Sequence, residues 1–145
     1  MSNKIILLSG GADPFHVGHL RMAQDASKYG NVIWALNSDE WLMQKKSYVF
    51  MPWDERAELL KELKCIYDVV PVDDSDGTVC EAISRIQPDY FGNGGDRTYA
   101  NTPERALCEK LEVELVWGLG GRKIQSSSDL VETVTLNIID NLKRW

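Results

Sequence analysis

Short apolar runs alternate along this chain of 145 residues with longer stretches in which apolar positions recur three and four residues apart. A run of four to eight apolar residues is typical of a strand buried on both faces, whereas the longer spacing indicates a helix. The runs predict strands at residues 4–9, 31–37, 67–72, 89–92 and 113–117. The longer stretches predict helices at residues 18–29, 52–64, 78–87, 103–111 and 126–143.

Predicted strands and helices follow one another in turn, which is the pattern of βαβ units and a parallel sheet. With 145 residues, 43% of them hydrophobic, the chain is long enough for one substantial core. We therefore predict an α/β fold with a Rossmann-like, open, parallel, five-stranded sheet and helices on both faces, forming a single domain over residues 1–145.

The last predicted helix carries Leu130, Val134, Ile138 and Leu142 at intervals of four residues. Side chains at this spacing share one face of a helix. We expect that face to be buried, either against the sheet or against a partner subunit.

Acidic residues outnumber basic ones by 22 to 16, which gives a net charge of −6. No overall basic field is therefore present to attract nucleic acid or an anionic membrane. Cys65, Cys80 and Cys108 lack metal-ligand or redox spacing and fit reduced structural thiols. No signal peptide and no apolar stretch of membrane-spanning length is evident, so we expect a cytoplasmic protein with no membrane or nucleic-acid partner.

Three loops rich in glycine follow predicted strands, with the sequences GGADPFHVGH, GNGGDR and GLGGRKIQSSSD. In an open parallel sheet, ligands bind beyond the carboxyl ends of the strands, so these loops meet on one rim. Together they predict a phosphate or nucleotide site. Neither the G-x-G-x-x-G fingerprint nor the Walker lysine motif is present, which argues against a dinucleotide dehydrogenase and a P-loop kinase.

Both histidines of the chain, His16 and His19, lie in the first of these loops. If a helix begins near Gly18, both rings lie at its N-terminus, where backbone N–H groups favour phosphate. Two imidazoles there can donate hydrogen bonds to phosphoryl oxygens as charge develops. The alternatives are a structural pair or a zinc site, and zinc is the weaker because Asp13 alone stands nearby as a third ligand.

Residues 10–19 resemble the G-x-F-D-x-x-H-x-G-H signature of the HxGH nucleotidyltransferase superfamily, which includes cytidylyltransferases and adenylyltransferases. Further segments resemble the same family in the same order. LNSDEWL contains Asp39, a basic loop contains Lys45 and Lys46, PWDERAELL contains Arg56, and PDYFGNGGD contains Asp96. GGRKIQSSSDLV resembles the family's last signature, so the similarity extends through nearly the whole chain.

The resemblance implies that a phosphorylated small molecule, such as a sugar or polyol phosphate, attacks the α-phosphorus of a nucleoside triphosphate and releases pyrophosphate. It implies Mg²⁺ carried by the triphosphate, and a homodimer. It assigns catalysis to His16, His19, Lys45, Lys46 and Arg122. It assigns nucleotide binding to Gly10, Gly11, Ala12, Asp13, Gly18, Gly94, Gly95, Asp96, Ser126, Ser127 and Ser128. It assigns acceptor binding to Asp39, Arg56 and Asp68.

Two departures from the family pattern bear on the substrates. Ala12 stands where the family usually has phenylalanine, and Asn93 stands where members that act on sugar phosphates often carry lysine. The small size of the chain favours CTP over ATP as the donor, and both glycerol-3-phosphate cytidylyltransferases and heptose-1-phosphate adenylyltransferases resemble it.

Simpler interpretations of single residues also stay open. Lys45 and Lys46 fit a solvated pair, and Arg56 fits a helix-surface residue paired with Glu55 or Glu58. Asp39 fits a turn, Asp68 fits a strand-edge carboxylate, and Ser126 fits a helix cap. For the whole chain, the alternatives are a nucleotide-binding regulatory module without turnover and, less favoured, a flavodoxin-like protein.

Overall fold

The structure is a computed structural model that describes residues 3–95 and 102–144. Its strands form one parallel sheet in the order β3-β2-β1-β4-β5. The strands are β1 Ile5–Gly10, β2 Asn31–Leu36, β3 Asp68–Pro71, β4 Tyr90–Gly94 and β5 Glu114–Leu119. The helices of the described residues are α1 Val17–Ala26, α2 Asp39–Lys46, α3 Trp53–Lys61, α4 Cys80–Ile86, α5 Pro103–Leu111 and α6 Ser127–Lys143.

The sheet is covered on both faces, and its apolar strands account for this arrangement. In β1, the consecutive residues Ile6, Leu7 and Leu8 are completely buried, as expected of a central parallel strand. Ile6 and Leu8 belong to a first core cluster with α1 and α3, whereas Leu7 belongs to a second cluster with α4 and α5. The predicted α/β fold class is confirmed.

The strand order reverses between β1 and β4, which makes this pair the topological switch point of the sheet. Helices α1 and α3 pack on one face, and α4 and α5 pack on the other. A crevice therefore opens at the carboxyl ends of β1 and β4, and ligands of such sheets bind in that position.

Helix α2 is absent from the sequence-based prediction. Its sequence, DEWLMQKK, buries Leu42 alone, so it carries no apolar face from which to recognise it. It forms because the Ser38 hydroxyl caps its start by accepting a hydrogen bond from the Trp41 N–H at 3.1 Å. Asp39 and Glu40 lie in its first turn and two lysines in its last, an arrangement that the helix dipole favours.

Helix α6 occupies the predicted residues but is not packed against the sheet. Val134, Ile138 and Leu142 are 58%, 54% and 67% exposed, and Ser127 is the buried residue of the helix. The expectation that the sheet covers this face is wrong, and burial against a partner subunit stays a prediction.

Candidate active site

The two histidines cap the N-terminus of α1 in a reciprocal arrangement. Nδ1 of His16 accepts a hydrogen bond from the Gly18 N–H at 3.0 Å, and Nδ1 of His19 accepts one from the His16 N–H at 3.1 Å. A ring nitrogen that accepts a hydrogen bond carries no proton, so the proton of each neutral ring lies on Nε2. The backbone thereby selects the tautomer in which each ring offers an Nε2–H donor.

The environment keeps both rings uncharged. Their centroids are 3.9 Å apart. Burial lowers the pKa of His19 to about 3, with contributions from His16 and Lys46. The pKa of His16 is also lowered, first by burial and then by Lys123 and Lys46. At neutral pH the pair therefore consists of two neutral hydrogen-bond donors.

A cavity of about 300 Å³ lies against these histidines. The predicted site residues that line it are His16, Gly18, His19, Lys45, Lys46, Gly94, Gly95, Arg122, Ser126, Ser127 and Ser128. They come from four separate segments of the sequence, so the fold brings together most of the predicted catalytic and phosphate-binding residues. Lys123 also lines the cavity. Sequence reasoning missed it, although its position beside Arg122 was a usable signal.

Lys45 and Lys46 lie in the last turn of α2. The expectation that they belong to a basic loop is therefore wrong. The Lys46 ammonium donates to the backbone carbonyl of Asp13 at 3.3 Å. Burial lowers the pKa of Lys46, with smaller contributions from Lys45 and Arg56 and an opposing one from Asp13. The Lys45 ammonium lies 4.5 Å from the centre of the Trp41 ring. The interpretation of both lysines as a solvated pair is therefore wrong for Lys46.

The N-terminus of α6 also lines the cavity. The Ser126 hydroxyl caps the helix by accepting from the Asp129 N–H at 3.3 Å, which confirms the predicted cap. The Ser127 hydroxyl donates to the carbonyl of Pro14 at 2.7 Å and ties this wall to the histidine loop. Two helix N-termini, those of α1 and α6, therefore meet at one cavity, and such ends favour anions.

Asp13 lies beneath the cavity instead of lining it. Its carboxylate is fully buried and accepts hydrogen bonds from the backbone N–H groups of Phe50 and Met51 at 2.6 and 2.7 Å. These contacts tie the histidine loop to the segment that leads into α3. The structure therefore gives Asp13 a supporting position, and contact with a nucleotide stays a prediction.

Arg56 is also buried beneath the loop, so its interpretation as a helix-surface residue is wrong. Its guanidinium donates to the carbonyls of Met51, Gly11 and Asn37 at 2.8 to 2.9 Å. It also pairs with the Asp39 carboxylate at 2.6 Å. The guanidinium thus joins three backbone segments, and the structure brings neither Arg56 nor Asp39 to the cavity wall.

The backbone at residues 10–13 is tightly constrained. Ala12 has φ of 49°, a region that residues with a side chain rarely adopt, and it is buried in the first core cluster. A Cβ on Gly11 would lie 2.8 Å from Leu42, so only glycine fits there without displacement. Gly10, Gly11 and Ala12 shape the loop and do not line the cavity.

The loop after β5 approaches the loop after β4 closely. A Cβ on Gly95 would lie 1.8 Å from the carbonyl oxygen of Gly121, so a side chain cannot be accommodated at Gly95. The Gly120 N–H donates to the Asp25 carboxylate at 2.7 Å, a contact that lowers the pKa of Asp25. Asp25 was not predicted, since nothing in its local sequence indicates this long-range contact.

Asp68 and Asp96 are the remaining predicted site residues. Asp68 is an exposed residue at the start of the edge strand β3, away from the carboxyl ends that hold the site, which matches the strand-edge interpretation. Asp96 lies outside the described residues.

The described part of the chain contains no group of three or more His, Cys, Asp or Glu residues arranged to hold a metal ion. Among the same residues, no helix is long and apolar enough to cross a bilayer. The cavity instead collects imidazole N–H groups, ammonium groups, a guanidinium and hydroxyls, which are donors for phosphate oxygens.

The fold and the cavity define an α/β protein with a crevice suited to phosphate groups, and comparison with known proteins specifies the family. Residues 7–135 match the family model described as cytidylyltransferase-like. The chain therefore belongs to the cytidylyltransferase-like family, which confirms the resemblance to nucleotidyltransferases found in the sequence.

The relatives have more than one named activity. The chain is 33% identical over 135 residues to the bifunctional protein HldE of Syntrophotalea carbinolica, covering 90% of this chain and 26% of HldE. It is 34% identical over 116 residues to the FAD synthase of Thermococcus onnurineus, covering 77% of this chain and 71% of that protein. The chain thus spans about a quarter of the HldE relative.

A solved structure supports the fold. The lipopolysaccharide core biosynthesis protein from Thermoplasma volcanium superimposes with a TM-score of 0.67 at 18% identity, covering 83% of this chain and 98% of that one. The identity is low, so this comparison bears on the fold alone.

Proposed function

We propose that the chain transfers a nucleoside monophosphate from a nucleoside triphosphate to a phosphorylated small molecule, with release of pyrophosphate. The observation that carries the proposal is the pair of neutral Nε2–H donors on His16 and His19, held by backbone hydrogen bonds at a cavity that also contains Lys46 and Arg122. Fixed donors and cations aimed at phosphate are the means by which phosphoryl-type transfer is accelerated.

In the proposed reaction, a phosphate oxygen of the acceptor forms a bond to the α-phosphorus of the triphosphate. The bond from that phosphorus to the bridging oxygen of the β-phosphate breaks, and its electron pair leaves with pyrophosphate. The acceptor phosphate is already ionised at neutral pH, so no general base is needed. No covalent bond to the enzyme forms.

Each group of residues has a distinct role in this proposal. His16 and His19 donate hydrogen bonds to oxygens of the α-phosphate, where negative charge increases in the transition state. Lys45 and Lys46 stabilise the charge of the departing pyrophosphate, and Arg122 holds the β- and γ-phosphates. The N-terminus of α6, with Ser126, Ser127 and Ser128, binds the terminal phosphates.

Magnesium fits this site as part of the nucleotide. The described cavity lining supplies donors for phosphate and no carboxylate, and Mg²⁺ commonly binds through substrate phosphates and water. Bound there, it would neutralise part of the triphosphate charge. We propose that Mg²⁺ enters with the triphosphate.

The experiment is a pyrophosphate-release assay with Mg²⁺ and each of two donors. CTP is suggested by the resemblance to glycerol-3-phosphate cytidylyltransferases, and ATP by the similarity to an FAD synthase, whose product contains an adenylyl group. The acceptors are glycerol 3-phosphate, glucose 1-phosphate, a heptose 1-phosphate and flavin mononucleotide. Release that requires an acceptor and disappears in His16→Ala supports the proposal. Nucleotide binding without release would favour a regulatory module.

We also propose that two copies of the chain associate through α6. The support is its exposed apolar face, together with its charges: Asp129 and Glu132 lie near the start of the helix, and Lys143 and Arg144 lie at its end. Antiparallel packing of two copies would place the acidic end of each helix against the basic end of the other.

The substitution Ile138→Asp should convert such a dimer to a monomer in light scattering. Asp140→Asn, a substitution on the same helix at an exposed residue outside the groups named for the interface, serves as the control. A wild-type protein that is monomeric at micromolar concentration would contradict the dimer.

A further inference from the structure

Lys123 is a cation of the cavity wall that the proposed reaction does not use. It lies in the loop after β5, next to Arg122 in the sequence, and both residues line the cavity. With Lys45 and Lys46, they bring four positive side chains to a described lining that contains no carboxylate. Four like charges at one cavity repel each other, and a polyanionic ligand relieves that repulsion.

The backbone is held in place on both sides of Lys123. Before it, the carbonyl oxygen of Gly121 lies 1.8 Å from the position that a Cβ on Gly95 would take. After it, the carbonyl oxygen of Gln125 lies 4.0 Å from the position that a Cβ on Gly18 would take. The segment that contains Lys123 therefore runs from the loop after β4 to the first turn of α1.

Arg122 and Lys123 occupy different places along this segment. The Arg122 Cα lies 3.8 Å from the Cβ position on Gly95, in the loop after β4. Lys123 is one residue nearer to α1. Burial lowers the pKa of His16 most, and the charge of Lys123 contributes next, ahead of that of Lys46. The ammonium of Lys123 therefore lies near the His16 ring.

The Nε2 atom of His16 is the part of this ring that meets the substrate in the proposed reaction. Nδ1 already accepts a hydrogen bond from the Gly18 N–H, so Nε2–H is the donor that remains for the α-phosphate. Lys123 lines the same cavity as the ring. An ammonium and an imidazole N–H can bind one phosphate together, because its oxygens offer several acceptor positions.

We propose that Lys123 is a nucleotide-binding residue that contacts the α-phosphate, whereas Arg122 contacts the β- and γ-phosphates. This inference rests on the proposed nucleotidyl transfer, which places the α-phosphate at the histidines. The chemistry of the two side chains agrees with this division. A lysine ammonium is a compact point charge that suits one phosphate group, whereas the forked guanidinium suits two sets of phosphate oxygens at once.

The test measures the Kd of a nucleoside monophosphate, diphosphate and triphosphate by calorimetry, in the cytosine and adenine series. Lys123→Met removes the charge and keeps a long, unbranched side chain, and it should raise all three Kd values about ten-fold. Arg122→Ala should raise the Kd of the diphosphate and triphosphate and leave that of the monophosphate within about two-fold. The control Lys64→Met, at an exposed position outside this loop, should change none of them.

The outcomes separate this inference from the proposed function. If Lys123→Met binds the monophosphate as tightly as the wild type does, the contact with the α-phosphate is overturned. An equal loss of monophosphate binding in Arg122→Ala would overturn the division between the two residues. If the three Kd values change as expected but the wild type releases no pyrophosphate with any acceptor, the proposed function fails and the binding role of Lys123 stands. A wild type that binds none of the nucleotides would overturn both.

Discussion

The loop after β1 and the loop after β5 each lead from a strand into a helix at the same cavity, but they are held very differently. The first is fixed by the buried carboxylate of Asp13, the buried guanidinium of Arg56 and the two capping histidines. In the second loop, Arg122 is exposed. This loop is held by a hydrogen bond from Gly120 to Asp25 and by one from Ser127 to Pro14.

This difference separates two tasks at one site. A group that stabilises a transition state must be held in position before the reaction, because reorienting it costs free energy at the critical step. A group that binds and releases a polyphosphate works from a less constrained surface. Substitutions in the first loop should therefore alter both stability and rate, whereas those in the second should alter binding.

The largest expected effect is at the histidines. In His19→Asn the side-chain oxygen lies near the position of Nδ1 and preserves the cap, but no donor replaces Nε2–H. We expect kcat to fall about 100- to 1000-fold, with a free energy of unfolding within about 1 kcal/mol of the wild type. In His19→Gln a donor lies nearer the position of Nε2, so more of the rate should remain. Equal rates in the two variants would contradict the assigned tautomer.

Among substitutions in the first loop, Asp13→Asn should lower the free energy of unfolding most. The substitution replaces a carboxylate that accepts two backbone hydrogen bonds with an amide whose NH₂ group faces those donors. We expect a loss of about 2–3 kcal/mol in the free energy of unfolding, measured in urea. The control Asp140→Asn, at an exposed position, should change the free energy of unfolding by less than about 0.5 kcal/mol. A stable but slow Asp13→Asn enzyme would place this carboxylate at the substrate instead.

The pH dependence of stability should report on His19. Its pKa falls from 6.5 to about 3 on folding, so the unfolded chain binds the extra proton between these values. The contribution of His19 to the free energy of unfolding should be fully present above about pH 6.5. It should decrease by up to about 1.4 kcal/mol for each pH unit below that value. His19→Asn should flatten this slope.

Because both histidines are neutral donors, neither should contribute an inflection near pH 6.5 to the pH profile of kcat. An inflection there that disappears in His19→Gln would show a titrating imidazole and contradict the neutral pair.

The smallest expected effects concern Arg122 in the second loop. Arg122→Ala should raise the nucleotide KM by about ten-fold, since one charge-assisted phosphate contact is lost. The free energy of unfolding should change by less than about 0.5 kcal/mol, because the side chain is exposed. Lys64→Ala, at an exposed position outside both loops, should change neither quantity. A large loss of stability in Arg122→Ala would remove the contrast between the loops.

Periodicity predicted the strands well because each strand is a short apolar run that is visible in the local sequence. Helix α5 was predicted at its observed residues 103–111. The histidines and the cap at Ser126 could also be located from short-range sequence. The burial of Arg56 could not be predicted, because its hydrogen-bond acceptors are the carbonyls of Met51, Gly11 and Asn37. These three segments come together only in the folded chain. Helix α2 has a weak apolar pattern, and the apolar spacing of α6 does not indicate whether the sheet lies against it.

The most direct test of the central claim is the stoichiometry of products, followed by ³¹P NMR with Mg²⁺, CTP or ATP, and an acceptor that supports pyrophosphate release. We predict one pyrophosphate for each new phosphate–phosphate linkage between nucleotide and acceptor, with little free nucleoside monophosphate or inorganic phosphate. Hydrolysis to inorganic phosphate or free nucleoside monophosphate, without the linked product, would contradict nucleotidyl transfer at this site.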